Sequence, residues 1–435
     1  MNNYKLRNRS RVLVSGMLTA ALILGSGASA LAEPAPSDAS TPGNPAAQSV
    51  QAIPASQLIV ALGDSITAGY EPGMAENAVP YGYVDRLKEQ ALFHGRAEVV
   101  NYGILGLKTS GLFNYVTAIK EGKAIAAGDI QEGLRDPRLP EFASGISTAK
   151  TKLEQADVIT ITIGGNDVSA LLTEAKGLTN EELKAKAAEL LNTYKSNVQQ
   201  VVSILTEINP EAQIILADQY QPVPKVAGAA LYEELTKVSG SFTSTVDEMV
   251  SQFNADGKKV KAAHIAETFV GKELSLTHIF NEDVHPNQSG YEAIAKVMAQ
   301  NIWGSYRETA AKSGGQIPIS IVVKGKELST PYAPVVKNGQ TFVALKDITD
   351  AIGGQSRWDS KAGTATITYA GRTVVIPVGA KQITADGIKV DTAAPAFLHK
   401  VGKEQKTYVP LALLATGLGL DVQFSPKLKT AFINL

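Results

Sequence analysis

The sequence contains no cysteine among its 435 residues. This absence excludes disulfide bonds, catalysis by a thiolate, cysteine-ligated zinc sites and a lipidated N-terminal cysteine. Histidine is scarce, because the whole chain has five. A catalytic histidine must therefore be one of a short set: His94, His264, His278, His285 and His399.

The sequence also lacks a marked excess of either charge and has no long apolar segment beyond its N-terminus. Lys and Arg total 41 against 42 Asp and Glu, and no basic cluster indicates binding to nucleic acid. No later segment has the length and apolarity of a transmembrane helix. A hydrophobic content of 44% with 19% charged residues fits a globular protein, and the length allows two or three cores.

The first 32 residues have the features of an export signal. Four basic residues and no acidic residue precede the apolar stretch from Val12 to Leu24, which is short for a membrane span. Ala30-Leu31-Ala32 supplies small residues at the usual cleavage spacing. We predict a signal peptide over residues 1–32 and a secreted protein without a transmembrane segment after processing. Residues 33–56, rich in Pro, Ala, Ser and Gly, are predicted to form a flexible linker.

Residues 57–310 alternate between short apolar runs and helical patterns. The predicted strands are Leu58–Leu62, Val99–Ile104, Val158–Ile163, Ile214–Ala217 and Val260–Ile265, and the clearest helix runs from Thr179 to Ile208. This alternation predicts an α/β domain with a parallel sheet covered by helices on both faces. Ligands of such folds bind at the carboxyl ends of the strands. Ser65, Gly106 and Asn166 each follow a predicted strand.

Residues 318–435 form a second unit with an internal repeat. Thr341-Phe342-Val343-Ala344-Leu345 recurs 66 residues later as Thr407-Tyr408-Val409-Pro410-Leu411, and Trp358 recurs as Phe424. Two copies of a strand–helix–strand unit explain this repeat, so we expect a smaller α+β domain.

Ser65 stands where a strand is expected to give way to a helix. The apolar run ends at Gly63-Asp64-Ser65, which exposes a hydroxyl beside unpaired backbone N–H groups. The same tripeptide also fits an ordinary turn.

Three later segments add polar groups after other strands. Gly106 follows the second strand, where a plain strand-to-helix turn is the favoured explanation of this segment taken alone. Gly165-Asn166-Asp167 follows the third strand, and a helix cap explains this segment equally well. Near residue 285, Glu282-Asp283-Val284-His285-Pro286 places carboxylates beside a histidine whose backbone is restricted by the following proline. A histidine in a capping loop is the alternative for this segment.

Together, Gly63-Asp64-Ser65, Gly106, Gly165-Asn166-Asp167 and His285-Pro286 resemble the four blocks of the SGNH (GDSL-type) hydrolase family, in family order. The resemblance spans about residues 57 to 306. It implies a flavodoxin-like three-layer α/β/α fold and a serine esterase or lipase. It further implies that Ser65 attacks the ester and that His285 acts as general base. The oxyanion would be held by the backbone N–H groups of Ser65 and Gly106 and by the Asn166 amide.

The acid of the site departs from the family pattern. The family usually has aspartate three residues before the histidine, and that position here is Glu282, with Asp283 one residue later. Either carboxylate, or a backbone carbonyl in a dyad, could orient His285. We favour Asp283, because the longer Glu282 side chain would have to reach the same ring nitrogen.

Residues 318–435 resemble the copper amine oxidase N-terminal-like domain of secreted Gram-positive proteins. The segment has one histidine, His399, and neither cysteine nor methionine, so the ligands that copper prefers are missing. We expect a non-catalytic module that either attaches the protein to the cell wall or surface or stabilises it.

The sequence thus predicts a secreted, cofactor-free and metal-free hydrolase of carboxylic esters, whose substrate is a small-molecule, lipid or sugar ester. Residues 107–150 and 222–256 are long enough to shape the pocket, or they belong to the core. Two alternatives remain: a carbohydrate or cell-wall O-acetyl esterase, and a surface-binding protein with an inactive hydrolase domain.

Overall fold

The computed structural model describes residues 56–75, 78–168, 179–312, 314, 317–392 and 394–435. The predicted signal peptide and all of the predicted linker except its last residue lie outside the described residues. Among the helices within these ranges, none combines the length and apolarity needed to cross a bilayer.

A five-stranded parallel sheet forms the centre of the first domain. Its strands are β1 (Gln57–Gly63), β2 (Ala97–Gly103), β3 (Val158–Thr162), β4 (Gln213–Ala217) and β5 (Val260–Ala263), in the order β2-β1-β3-β4-β5. Each strand lies within two residues of its predicted bounds. This is the strand order of flavodoxin-like folds, so the predicted fold class is confirmed.

Helices cover both faces of this sheet. They are α1 (Ser65–Ala68), α2 (Tyr83–Ala91), α3 (Thr109–Glu121), α4 (Ala127–Ile130), α5 (Leu139–Ser144), α6 (Ile146–Glu154), α7 (Asn180–Ile208), α8 (Ala229–Ala255), α9 (Ile265–Phe269), α10 (Glu273–Leu276) and α11 (Gln288–Trp303). Helices α3, α6, α7 and α8 pack on one face, and α2, α9 and α11 pack on the other. The helix predicted from Thr179 is confirmed, because the Thr179 hydroxyl accepts a hydrogen bond from the Glu182 backbone N–H at its start.

The second domain contains short strands and two helices. They are β6 (Ser320–Val323), β7 (Lys326–Glu327), β8 (Val335–Lys337), β9 (Gln340–Ala344), α12 (Leu345–Ile352), β10 (Gln355–Asp359), β11 (Thr364–Tyr369), β12 (Arg372–Pro377), β13 (Gln382–Ala385), β14 (Ile388–Asp391), β15 (Phe397–Val401), β16 (Glu404–Pro410), α13 (Leu411–Leu418), β17 (Asp421–Ser425) and β18 (Thr430–Asn434). They form sheets ordered β10-β11-β12-β13-β14, β15-β16-β9-β8 and β17-β18-β6-β7. The α+β character predicted for this domain is confirmed.

The internal repeat is visible in the structure as an approximate two-fold relation. Helix α13 begins and ends 66 residues after α12. Strands β9 and β16 pair antiparallel with Val343 opposite Val409, which are equivalent residues of the two copies. The approximate two-fold axis therefore passes through this pair.

The last hairpin of the second domain packs against helix α2 of the first. The rings of Phe93 and Phe432 meet edge to face with centroids 4.9 Å apart. The Asn434 side-chain amide donates to the carbonyl oxygens of Leu92 and Gly95 at 3.2 and 2.8 Å. Because these contacts are buried, the second domain shares part of the hydrophobic core of the first.

Candidate active site

The turn that ends β1 places Ser65 at the carboxyl edge of the sheet. Asp64 caps the short helix α1, since its Oδ1 accepts a hydrogen bond from the Ile66 N–H at 3.0 Å. Gly63 has a φ of 147°, and a Cβ at this position would lie 2.0 Å from the Thr162 carbonyl oxygen. Only glycine allows β1 to pass β3 this closely and turn.

Ser65, His285 and Asp283 form a continuous series of hydrogen bonds. Ser65 Oγ lies 2.8 Å from His285 Nε2, and His285 Nδ1 lies 2.7 Å from Asp283 Oδ1. The same Asp283 oxygen accepts the His285 backbone N–H at 2.8 Å. This arrangement favours the tautomer that has its proton on Nδ1 and its lone pair directed at the serine hydroxyl. Glu282 is exposed, and its backbone is left-handed with a φ of 59°.

Backbone hydrogen bonds to the preceding segment hold the loop that carries His285. An isolated bridge pairs Thr277 with Pro286, and the His278 N–H donates to the His285 carbonyl oxygen at 3.0 Å. The ring of His278 in turn lies 3.0 Å from Glu71, Nε2 to Oε2. The sequence alone does not indicate the His278–Glu71 pair, because its members are 207 positions apart and neither lies in a recognisable motif.

The predicted oxyanion donors lie at the same edge of the sheet. Within the described part of the chain, the backbone N–H groups of Ser65 and Gly106 have no hydrogen-bond acceptor. The Asn166 amide lines the same pocket as Ser65 and donates from Nδ2 to the Leu107 carbonyl oxygen at 2.9 Å. That bond fixes the direction of the amide and joins it to the residue that follows Gly106.

Two buried carboxyl groups support this edge. Asp64 is 1% exposed, and burial raises its pKa to about 7, with a further contribution from the charge of Asp167. Burial also raises the pKa of Asp167, whose carboxylate accepts hydrogen bonds from the backbone and hydroxyl of Thr109. Asp167 thereby holds the end of β3 against the start of α3.

A pocket lies beside Ser65. Its volume is about 870 Å³, including the open space at its entrance. Most of its wall is apolar and comes from the β4–α8 connection and from α8, with Tyr220, Pro222, Leu235, Val238 and Phe242. Residues 222–256 therefore shape the pocket, which was one of the two roles expected of them.

Residues 107–150, the other segment considered for the pocket, do not line it in the described structure. Their apolar side chains, including Leu112, Tyr115 and Phe142, pack into the core beneath the sheet instead. Within the described ranges, no cluster of three or more His, Asp or Glu side chains is arranged to hold a metal ion.

Two family models match the chain. The model described as GDSL-like lipase/acylhydrolase matches residues 59–298, and the model described as copper amine oxidase N-terminal domain matches residues 322–433. The second domain does not fit copper, since its one histidine, His399, packs against the rings of Phe397 and Tyr408 and the segment has no other soft or imidazole ligand.

Individual relatives match somewhat more than half of the chain. The chain is 26% identical over 249 residues to the uncharacterized protein YpmR of Bacillus subtilis strain 168, which is 56% of this chain and 81% of the relative. Among solved structures, the lipase Lip_vut3 from a goat rumen metagenome is 20% identical with a TM-score of 0.38, covering 56% of this chain and 96% of its own. The lipase/acylhydrolase from Enterococcus faecalis is 18% identical with a TM-score of 0.35, covering 58% and 100%.

Proposed function

Because the chain belongs to the GDSL-like lipase/acylhydrolase family, we propose that it is a serine esterase with Ser65 as nucleophile, His285 as general base and Asp283 as the orienting acid. The observation that carries the proposal is the unbroken hydrogen-bonded series from Ser65 Oγ through His285 to Asp283 at an apolar pocket. Glu282, the other carboxylate considered for this role, faces solvent.

The geometry supports a two-step reaction. Ser65 Oγ attacks the ester carbonyl carbon while its proton passes to His285 Nε2, and Asp283 stabilises the resulting imidazolium through Nδ1–H. The negative oxygen accepts hydrogen bonds from the Ser65 and Gly106 N–H groups and from the Asn166 amide. His285 then protonates the departing alcohol oxygen. In the second step, His285 activates a water molecule that releases the acid from Ser65.

The wall of the pocket supports an acyl group longer than acetyl. Leu235, Val238 and Phe242 of α8 present hydrocarbon beside the serine, and Asp64, which lies at the base of α1, is the one carboxylate among the lining residues described. Each CH₂ group buried there would contribute about 0.8 kcal/mol to binding. We therefore propose esters with an apolar acyl chain as substrates.

Hydrolysis of p-nitrophenyl esters from acetate to palmitate by the purified protein and by Ser65→Ala tests this proposal. We expect kcat/KM to rise over the first several acyl carbons and Ser65→Ala to lose at least about 10³-fold. An optimum at acetate would indicate an O-acetyl esterase instead. Equal rates for the two proteins would show that Ser65 is not the nucleophile.

We also propose that the protein is exported, on the strength of its basic N-terminus, short apolar core and small residues before Glu33. The mature protein recovered from the medium of a Gram-positive host should begin at Glu33, as measured by intact mass. Recovery from the cytoplasm with residues 1–32 attached would contradict export.

A further inference from the structure

Two grooves of the second domain occupy equivalent positions in its two repeats. The Trp358 groove contains Trp358, Ser356 and Gln405, and the Phe424 groove contains Phe424, Val422 and Gly339 at the matching positions. Each pair is 66 positions apart in the chain, as the repeat requires. The protein therefore carries the same surface feature twice.

The two grooves share a backbone but differ in chemistry. Ser356 and Gln405 of the Trp358 groove are replaced by Val422 and Gly339, and Lys346 is replaced by Ala412. Because the Phe424 groove forms without these polar groups, the fold does not require them. The aromatic rings are not required for the core either, since Trp358 is 45% exposed and Phe424 is 53% exposed.

The polar side chains of the Trp358 groove can form hydrogen bonds with a ligand. Among the described residues, none forms a hydrogen bond with the side chains of Ser356, Gln405 or Thr407, all of which line the groove. About 1260 Å³ of open space lies in front of them, against about 830 Å³ in the Phe424 groove. An occupant of this groove should match an exposed indole and several hydroxyl and amide groups, and it would also meet the charged side chains that line the groove, Lys346, Asp347, Arg357 and Lys406.

We propose that the Trp358 groove binds a polysaccharide chain. The apolar C–H face of a pyranose ring would lie on the indole of Trp358, while sugar hydroxyls exchange hydrogen bonds with Ser356, Gln405 and Thr407. A fatty chain or an apolar peptide would suit the Phe424 groove better, because Val422 and Ala412 stand there in place of Ser356 and Lys346. The groove is separate from the Ser65 site, so the proposal stands whether or not Ser65 is reactive.

Binding to sugar polymers would locate the first domain at a glycan surface. The hairpin β17–β18 is packed against α2, so the Trp358 groove and the Ser65 pocket are carried by one connected body. Esters at or near such a surface would then be presented to the pocket at raised local concentration.

Affinity electrophoresis tests the proposal directly. The full chain, Trp358→Ala and the matched control Phe424→Ala are run through gels that contain dextran, xylan, polygalacturonate or glycol chitin. Both substitutions remove an exposed aromatic ring from an equivalent strand position, so their unfolding midpoints should stay close to that of the parent. We expect at least one polymer to retard the parent, Trp358→Ala to bind at least tenfold more weakly, and Phe424→Ala to bind as the parent does.

Two results would overturn the proposal. One is free migration of the parent protein in all four polymers. The other is an equal loss of binding in Trp358→Ala and Phe424→Ala, which would show that the polar groove has no special role.

Discussion

Asp283 and Glu282 are adjacent in the chain but make different contacts. Asp283 Oδ1 bonds both the ring and the backbone N–H of His285, whereas Glu282 is exposed. We expect Asp283→Asn to lower kcat by about 10²- to 10⁴-fold, because an amide cannot hold the imidazolium or the required tautomer.

The matched control for this prediction is Glu282→Gln, whose kcat should stay within about twofold of the parent. Steady-state hydrolysis of p-nitrophenyl butyrate by the two variants measures the difference. A larger loss of kcat in Glu282→Gln than in Asp283→Asn would contradict this prediction, because it would show that Glu282 orients His285.

The sequence predicted the serine and the histidine, and it favoured Asp283 as the acid without excluding Glu282 or a backbone carbonyl. Both carboxylates are long enough to reach an imidazole two or three residues away. The choice depends on the turn at Ile279–Asn281, after which Glu282 adopts a left-handed backbone. The same loop is held by the contacts of His278 with Glu71 and of Pro286 with Thr277, which no local pattern encodes.

At the scale of elements, the parallel sheet explains why three separate motifs converge. The turns after β1, β2 and β3 carry Ser65, Gly106 and Asn166, and the carboxyl ends of parallel strands share one edge. Strand periodicity was therefore enough to place them together. It was not enough to tell whether residues 107–150 line the pocket or fill the core, because apolar side chains on amphipathic helices fit both.

The cap of α1 gives this element a pH-dependent stability. Burial raises the pKa of Asp64 from 3.8 to about 7. Between these two pH values the Asp64 carboxyl group is protonated in the folded state and ionised in the unfolded state. The preference of the folded state for this proton stabilises the protein. The stabilisation is complete below about pH 4 and is lost as the pH rises through about 7. The free energy of unfolding should therefore fall over that range.

Asp64→Asn should remove this contribution while keeping the cap, since an amide oxygen still accepts from the Ile66 N–H. Urea unfolding of both proteins at about pH 4.5 and 7.5 measures the effect, and the parent should lose more stability than the variant over this interval. An identical pH dependence in the two proteins would contradict the assignment to Asp64.

For the whole molecule, we expect the buried contact between the domains to couple their unfolding. Phe432 is fully buried and meets Phe93 and the core beneath α2. We expect Phe432→Ala to lower the free energy of unfolding by about 3–5 kcal/mol. We also expect both domains of the parent to unfold in one thermal transition.

Phe424→Ala, which removes the same ring from an exposed position of the preceding strand, is the control and should change stability by less than about 1 kcal/mol. Calorimetry measures both variants. Two separate transitions in the parent, or a mild effect of Phe432→Ala, would show that the domains are energetically independent.

The repeat can be read from the sequence, but this contact between the domains cannot. The repeat is visible because equivalent residues keep a constant spacing of 66. Docking depends on pairs such as Leu92 and Asn434, which are 342 positions apart and lie in segments without a shared pattern. From the sequence, the second domain is expected either to attach the protein to the cell wall or surface or to stabilise it. The packing between the domains supports a stabilising role and is compatible with attachment.

Whether Ser65 is an activated nucleophile is tested by finding which residue reacts with an alkyl fluorophosphonate, a reagent that forms a covalent bond with an activated serine. The labelled protein is digested and the adduct is located by mass spectrometry. We expect one adduct, on Ser65, that forms much more slowly in His285→Ala and is absent in Ser65→Ala. An unlabelled parent protein, or an adduct on another residue, would contradict it.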